Sequence, residues 1–192
     1  PKSELQYVNS KLNGLCSYYF QSGQKNFEVL LVDGKMTGYG KEFFEGGSLK
    51  YEGHWKYDLY HGQGSQYQFK CGITFTGEFI SGEPHAGVET QYFSKVKKRS
   101  ELTLTAGVVN GTNNKYYFPN GKLQFEGVIV NGAKCGPGKE WHKLNGHLMY
   151  DGGYFDDLQE GLLTKNYGDN GKLKYHGQLI AGKPVGFGRL YY

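Results

Sequence analysis

The side chains of this chain that could do chemistry are few and widely spaced. Its six histidines are accompanied by three cysteines, Cys16, Cys71 and Cys135. Zinc sites and thiol catalysis need such residues at short, paired spacings such as CxxC or HExxH, and neither pattern occurs. No nucleophile-elbow motif is present either. We therefore expect no catalytic residue, no metal site and no cofactor.

Gly-x-Gly segments form the second chemical candidate, because such loops can bind phosphate. A nucleotide loop runs from a strand through a glycine-rich turn into a helix. Here the segments recur along the chain and lead into alternating sequences that are typical of strands. We therefore interpret them as structural: Gly38-Tyr39-Gly40, Gly62-Gln63-Gly64, Gly136-Pro137-Gly138 and Gly186-Phe187-Gly188.

The densest run of charge is Lys95-Val96-Lys97-Lys98-Arg99. We interpret it as a solvated loop within an expanded connection between repeats. The alternative is that Lys95, Lys97, Lys98 and Arg99 bind anionic lipid, where each cation would contribute about 1 kcal/mol. The net charge of +4 is too small to indicate a nucleic-acid partner.

Composition points to a glycine-punctuated β protein. Glycine occupies 31 of 192 positions, aromatic residues make up 16%, and proline is rare. Collagen needs glycine at every third position with abundant proline, a flexible linker lacks aromatic residues, and interior glycines destabilise helices. These three classes are therefore excluded.

The cellular compartment is indicated by the membrane-spanning and signal segments that the sequence lacks and by its cysteines. No segment approaches the about 18 apolar residues of a membrane-spanning helix. The N-terminal residues lack the apolar region of a signal peptide, and the cysteines are odd in number and far apart. We expect a reducing, cytoplasmic setting. The absence of an initiator Met predicts a fragment or a processed chain.

Internal repeats dominate the sequence. Similar segments start at Phe27, Tyr51, Phe75, Phe125, Tyr150 and Tyr175, and a weaker copy near Leu104 fills the longest interval. We predict a single domain over 1–192, with a degenerate cap repeat at 1–26 and about seven repeats of about 24 residues over 27–192.

Each repeat alternates apolar and polar residues with a period of two. Leu123, Phe125, Gly127 and Ile129 show this pattern, which predicts a half-buried antiparallel strand. Pairs such as Asp33-Gly34 follow the strands and predict tight hairpin turns. The fold class that we predict is all-β: an elongated single-layer array of about seven to eight consecutive β-hairpins forming a twisted antiparallel sheet.

The repeated glycines predict close packing. At Gly53 or Gly127 a side chain would occupy the space where an aromatic ring lies on the backbone. We expect aromatic rows along one side of the sheet, each ring packed over a glycine of the next strand.

The segment from Tyr51-Glu52-Gly53-His54-Trp55 to His61-Gly62-Gln63-Gly64 resembles the MORN repeat, the membrane occupation and recognition nexus motif. The Asn-Gly-Lys-Leu turns, 120–123 and 170–173, resemble a variant of that repeat. The likeness covers residues 27 to 192 but departs from the pattern at Val29, Ala86, Val88 and the Leu104 copy. It implies an array of hairpins that serves as a scaffold or interaction module, and some family members are linked to membranes, the cytoskeleton or cilia.

An exposed aromatic groove is the binding surface that we predict, because large exposed apolar strips mark partner sites. The candidate residues are Tyr51, Trp55, Phe79, Trp141 and Tyr154. The function that we expect is a non-enzymatic scaffold for a protein partner in a cytoskeletal, ciliary or other large assembly. Alternatives are a phosphoinositide or membrane-surface adaptor and, further off, a carbohydrate binder. A homo-oligomer could also form by edge-to-edge strand pairing.

Overall fold

The computed structural model describes residues 3–4, 7–68 and 72–192, which form strands and turns. The predicted all-β class of consecutive antiparallel hairpins is confirmed. The chain divides into two compact units, Pro1–Glu89 and Thr90–Tyr192. Cys71, one of the three cysteines considered above, lies outside the described residues.

The first unit consists of antiparallel strands that mostly pair with their neighbours in the chain. From β4 onward each strand pairs with the next, and β1 pairs with β4. Its strands are β1 (Ser3–Glu4), β2 (Tyr7–Val8), β3 (Lys11–Leu12), β4 (Gly14–Tyr19), β5 (Lys25–Val32), β6 (Lys35–Phe43), β7 (Leu49–Lys56), β8 (Leu59–Gln68) and β9 (Ile73–Ile80).

The second unit repeats the same arrangement. The unit boundary falls within β10 (Glu83–Ser94). The strands that follow are β11 (Lys97–Thr105), β12 (Val108–Val109), β13 (Gly111–Tyr117), β14 (Leu123–Val130), β15 (Ala133–Trp141), β16 (Leu148–Phe155), β17 (Leu158–Gln159), β18 (Gly161–Tyr167), β19 (Leu173–Ile180) and β20 (Lys183–Leu190).

Two-residue turns mark every repeat of the described chain. Both residues of each turn have positive φ, the conformation that type I′ hairpin turns require. The turns are Asn9-Ser10, Asp33-Gly34, Tyr57-Asp58, Ser81-Gly82, Ala106-Gly107, Asn131-Gly132, Asp156-Asp157 and Ala181-Gly182. The turns predicted from glycine pairs are therefore confirmed. The four other turns were not predicted, and they lie at the equivalent positions of their repeats. Tyr57, with φ of 51°, is unusual, because bulky residues rarely adopt this conformation.

The spacing of these short turns shows that the expanded connection expected before the Leu104 copy was wrong. Successive turns lie 24 or 25 residues apart throughout. Lys95 and Val96 form a tight turn between β10 and β11, because both strands extend further than the sequence suggested. Two of the 25-residue repeats absorb their extra residue in register shifts, at Gly111–Asn114 and at Gly161–Thr164.

A backbone hydrogen bond ties six of the eight short turns to the preceding repeat. In the first unit the amide of Gly34 donates to the carbonyl of Leu12 at 2.8 Å, and the amide of Gly82 donates to that of Tyr60 at 2.9 Å. The second unit repeats this bond, from Gly132 to Val109 among others. Neighbouring turns are thereby held at a constant separation within each unit.

In the second unit, asparagine side chains make an equivalent ladder among the turns at the other end of the strands. Asn120 Nδ2 donates to the carbonyl of Lys143 at 2.9 Å, and Asn145 Nδ2 donates to that of Asp169 at 2.5 Å. Each side-chain oxygen also accepts an amide two residues later, as in an Asx turn. This ladder gives a physical role to the Asn-Gly turns at Asn120 and Asn145, and Asn170 makes the same Asx turn with the amide of Lys172.

Aromatic rings lie directly over glycines, as predicted. The ring of Tyr51 covers Gly53 on its own strand and Gly64 on the next, where an added Cβ would be 2.5 and 2.4 Å from the Tyr51 Oη. Gly53 and Gly64 face each other across the strand pair. The Tyr51 hydroxyl then donates to the carbonyl of His54 at 2.8 Å, so the buried polar atom is satisfied.

The same packing recurs at other repeats, with adjustments where the sequence departs from the pattern. Tyr150 lies over Gly152, and Tyr175 lies over Gly177 and Gly188. Gly87, between the substituted positions Ala86 and Val88, supplies the glycine beneath Phe75, whose ring would be 3.0 Å from an added Cβ. The pattern is therefore displaced by one residue there rather than lost.

In the repeat around Leu104 the large and small residues are exchanged. Ser100 occupies the position of the ring, six residues before the short turn, and Leu102 occupies that of the glycine. Both are buried. Asn114, fully buried, takes the place of the second glycine, and it accepts the amide of Thr103 and donates to the carbonyl of Gly111, each at 2.8 Å.

Substituting Gly64 by alanine tests the ring-over-glycine packing. The new methyl would overlap the Tyr51 ring, so we expect the free energy of unfolding to fall by about 1–3 kcal/mol in urea denaturation. Gly46→Ala is the matched control, since nothing lies within 4 Å of an added Cβ there. Equal stability of Gly64→Ala and Gly46→Ala would contradict the packing role.

Candidate binding sites

Four of the five predicted groove residues are buried core residues. Tyr51 and Phe79 have no exposed surface, and Trp55 and Tyr154 are nearly as buried. Trp141, at the end of β15, is half-buried. The expectation that these rings are exposed is therefore corrected for all but Trp141, because neighbouring side chains cover them. A role in binding stays a prediction for these five residues.

Tyr60 is the side chain that covers the rings of the first unit. It stacks on Tyr51 with centroids 3.7 Å apart and planes 11° apart. Trp55 and Phe79 meet Tyr60 edge-on, at 4.7 and 5.7 Å. Edge-to-face and offset-stacked pairs are favourable geometries for aromatic rings. Tyr60 itself is only half-buried, so its exposed face forms part of the surface.

A cavity of about 340 Å³ opens beside this cluster. We call it the ring cavity and define it by Phe27, Met36, Glu42, Trp55, Leu59 and Tyr60, which line it together with Asp58 and Gly82. The indole Nε1 of Trp55 is buried and has no hydrogen-bond partner among the described residues. Three aromatic walls suit an apolar side chain.

The carboxylate of Glu42 gives the ring cavity a polar wall. It is almost fully buried and accepts hydrogen bonds from Lys50 Nζ at 2.5 Å and from the hydroxyl of Tyr60. Burial, followed by this hydrogen bond, raises the pKa of Tyr60 well above its ordinary value. Tyr60 therefore stays protonated and holds its ring against Tyr51.

Asp58 fixes the rim of the same cavity. Its carboxylate accepts Lys35 Nζ at 2.8 Å and the backbone amide of Met36 at 2.9 Å. The hydrogen bond from Lys35 is the largest cause that lowers the pKa of Asp58. Both carboxylates around the cavity are thus already matched by cations.

The second unit covers its rings with a cation instead of a tyrosine. Lys134, at the position equivalent to Tyr60, lies 4.5 Å from the ring centre of Phe125 and 5.2 Å from that of Tyr154. Its Nζ is also 2.6 Å from Glu140, the counterpart of Glu42. The rings there are closed off by a cation–π contact.

The predicted lipid-binding cations are exposed but differ in their contacts. Lys95 lies in a short turn beside Val96, which is 86% exposed. Lys98 Nζ is 2.6 Å from Glu101, and this hydrogen bond raises the pKa of Lys98. Lys97 and Arg99 lie on β11 rather than in a loop. The structure thus brings the four cations together at one turn and its adjoining strand.

Phe27, Glu42 and Tyr60 line the ring cavity but were not singled out from the sequence. The signal that could have identified them is their position in the apolar/polar alternation of the strands. Glu42 lies opposite Tyr51 in the sheet, so an acidic residue occupies a position that alternation assigns to the buried face. Tyr60 pairs with Trp55 across the same hairpin.

Two negative findings concern the described residues 3–4, 7–68 and 72–192. They contain no group of three His, Cys, Asp or Glu side chains arranged to hold a metal ion. They also contain no helix long and apolar enough to cross a membrane. Cys16 and Cys135 are free thiols.

Consecutive hairpins with rings packed over paired glycines define a β-hairpin repeat protein. The MORN repeat family model matches the chain at residues 6–25, 31–49, 51–67, 125–143 and 175–192. The chain therefore belongs to the MORN repeat family, as the resemblance in the sequence implied. One match falls in the segment predicted as a degenerate cap. No curated protein matches the chain.

Alkaline titration tests the burial of the tyrosines. Burial raises the pKa of Tyr51, and also that of Tyr150, from 10.0 to about 12. The folded state thus holds these protons more tightly than the unfolded state. This contribution to stability is complete below pH 10 and is lost as pH rises through about 12. We expect the free energy of unfolding to fall over this range.

The variant Tyr51→Phe isolates the effect. It loses the hydrogen bond to the His54 carbonyl, so about 1 kcal/mol of stability at neutral pH should disappear. Its stability should also depend less on pH between 10 and 12 than that of the unaltered protein. Tyr57→Phe, at an exposed turn, is the control. An unchanged alkaline slope in Tyr51→Phe would show that the Tyr51 proton is not held by the fold.

Proposed function

We propose that this protein is a non-enzymatic scaffold that binds a segment of a protein partner in the ring cavity of the first unit. The observation that carries the proposal is the cavity itself, about 340 Å³ walled by Phe27, Trp55 and Tyr60. Its volume is large enough for one or two side chains of a partner. Membership of the MORN family supports an interaction module but does not identify the partner.

The position of the cavity has a structural cause. Val29 stands where other repeats have a glycine beneath their ring, so the Phe27 ring cannot lie flat on its own strand. Phe27 is instead half-buried and meets Trp55 edge-on at 6.0 Å. The Phe27 ring of the first unit is therefore left partly exposed.

The chemistry of the walls specifies the segment. An apolar or aromatic side chain gains contact with the three rings. Aromatic residues are enriched among the residues that dominate binding energies, which fits a small site of this kind. Glu42 and Asp58, each paired with a lysine, orient the rim without adding net charge.

Peptide selection on the intact chain tests this proposal. A displayed random peptide library is enriched on the immobilised protein, and dissociation constants are measured for the selected peptides. We expect Phe27→Ala to weaken binding by about tenfold, or about 1.4 kcal/mol, because it removes a cavity wall. Selected peptides should share an aromatic or large apolar residue.

Tyr39→Ala is the matched control, since Tyr39 is an exposed ring on the opposite face of the same unit. Thermal unfolding establishes that both variants are folded. Peptides that bind Phe27→Ala as tightly as the unaltered protein, or that lose affinity equally in both variants, would refute the assignment of the ring cavity.

A second candidate function is docking to anionic membrane surfaces through the turn at Lys95-Val96. The observation that favours it is Val96, an apolar residue 86% exposed at the tip of a turn and flanked by lysines. An apolar tip can enter the interface while cations meet the headgroups, at about 1 kcal/mol for each cation.

Vesicle flotation separates this candidate from the first. Substituting Lys95, Lys97 and Arg99 by glutamine should abolish flotation with phosphatidylserine vesicles and leave peptide binding unchanged. Lys98→Gln should have a smaller effect, because Lys98 is already paired with Glu101. Flotation that persists in the triple variant, or that also occurs with neutral vesicles, would eliminate the electrostatic docking.

A further inference from the structure

Asparagine is followed by glycine at six places in the chain, and such a pair can react with itself. The backbone nitrogen of the glycine can attack the side-chain amide carbon of the asparagine, and glycine hinders this attack least because it has no side chain. Asparagine is accordingly counted among the thermolabile residues of proteins. The six pairs begin at Asn13, Asn110, Asn120, Asn131, Asn145 and Asn170.

Hydrogen bonds hold the side chains of four of these asparagines. Both ends of the side-chain amide are engaged at Asn120 and Asn145, in the ladder of the second unit, and at Asn13. The side-chain oxygen of Asn170 accepts the backbone amide of Lys172 at 2.9 Å. The side chain must turn toward the next backbone nitrogen before attack, so these bonds have to break first.

Asn131 differs from these four, because no hydrogen bond holds its side chain among the described residues. It is exposed and occupies the first position of the short turn between β14 and β15, with φ of 51°. Its side-chain amide is therefore free to rotate toward the nitrogen of Gly132.

The space around the following glycine separates Asn131 from Asn110, whose side chain is also without a hydrogen bond in the described chain. Apart from its chain neighbours, nothing lies within 4 Å of a Cβ built on Gly132. A Cβ built on Gly111 would lie 2.9 Å from the Cβ of Thr103, and Asn110 is half-buried. A free side chain and open surroundings thus coincide at Asn131.

The amide of Gly132 donates to the carbonyl of Val109 at 2.9 Å, and this bond opposes the attack. It does not distinguish the turns, however. The amides of Gly121 and Gly146 donate to backbone carbonyls at 2.8 and 2.9 Å. The difference between the turns therefore comes from the asparagine side chains.

We propose that Asn131 is a site of spontaneous deamidation. The nitrogen of Gly132 forms a bond to Cγ of Asn131, and the side-chain amino group leaves with the Gly132 amide proton as ammonia. The product is a succinimide ring. Water then opens the ring at either carbonyl, which gives aspartate or, with the main chain passing through Cγ, isoaspartate.

The two products have different consequences for the hairpin. Aspartate is compatible with the turn, because Asp33-Gly34 occupies the equivalent position in the first unit. Isoaspartate adds one carbon to the main chain of a two-residue turn, which displaces the Gly132 amide from Val109 and weakens the pairing of β14 with β15. This reaction is independent of the function proposed for the ring cavity, which lies in the first unit.

Peptide mapping by mass spectrometry after incubation of the intact chain in mildly alkaline buffer tests the proposal. We expect Asn131 to react about tenfold faster than Asn120 or Asn145, because no side-chain hydrogen bond has to break. In urea the six rates should converge, since the fold no longer holds any side chain. Equal rates at Asn131 and Asn120 in the folded chain, or faster reaction at Asn110, would overturn the assignment.

Variants at Asn131 connect the reaction to the hairpin. Asn131→Gln should stop the reaction, because glutamine cyclises slowly to a larger ring, and Asn131→Asp reproduces the aspartate product. We expect the aged unaltered protein to unfold at a lower temperature than fresh Asn131→Asp, whereas Asn131→Gln should keep its stability on ageing. An equal loss of stability in aged Asn131→Gln would contradict the role given to isoaspartate at this turn.

Discussion

The packing of one ring over two facing glycines is the contact on which the rest of this structure depends. Tyr51 can lie flat only because Gly53 and Gly64 have no side chains and face each other across the strand pair. Any slip of the register by one residue would place a side chain under the ring and would turn the ring to the other face. The contact therefore fixes strand pairing, the buried face and the repeat length together.

Two cavities, of about 340 and 560 Å³, lie where this contact is broken. Val29 replaces a glycine beside Phe27, and Ser100 with Leu102 exchanges the ring and glycine positions. In the first case a ring is left half-free beside Trp55, and in the second a ring is absent next to Tyr116. Repeats that follow the pattern use their aromatic residues to stabilise themselves, whereas the repeats that depart from it leave open space beside their rings.

Much of the fold could be predicted because its signals are local. Alternation with a period of two identified the strands, and pairs such as Asp33-Gly34 identified turns with positive φ. Tyr57-Asp58 was not identified, because the conformation of that turn is imposed by the adjoining strands and by the hydrogen bond between Asp58 and Met36. The prediction of an expanded connection was wrong for a similar reason, since β10 and β11 extend to a two-residue turn that carries no glycine.

The candidate sites were less accessible to prediction than the fold. Alternation assigns Tyr51 and Trp55 to one face, but it does not reveal that Tyr60 stacks over them. Coverage depends on contacts between side chains of different strands, and those follow from register and ring orientation. The Ser100 position could have been noticed by aligning the repeats on their short turns, which the weak Leu104 copy obscured.

The hydrogen bonds that tie most of the short turns to the preceding repeat also constrain how such a chain can change in length. An added residue at Asp33-Gly34 would displace the amide of Gly34 from the carbonyl of Leu12 and break the row at that point. The opposite edge tolerates turns of different lengths, from Lys95-Val96 to the longer connection between β15 and β16. Insertions and deletions of single residues should therefore accumulate in the turns at one end of the strands. The short turns at the other end should change only by the gain or loss of whole hairpins.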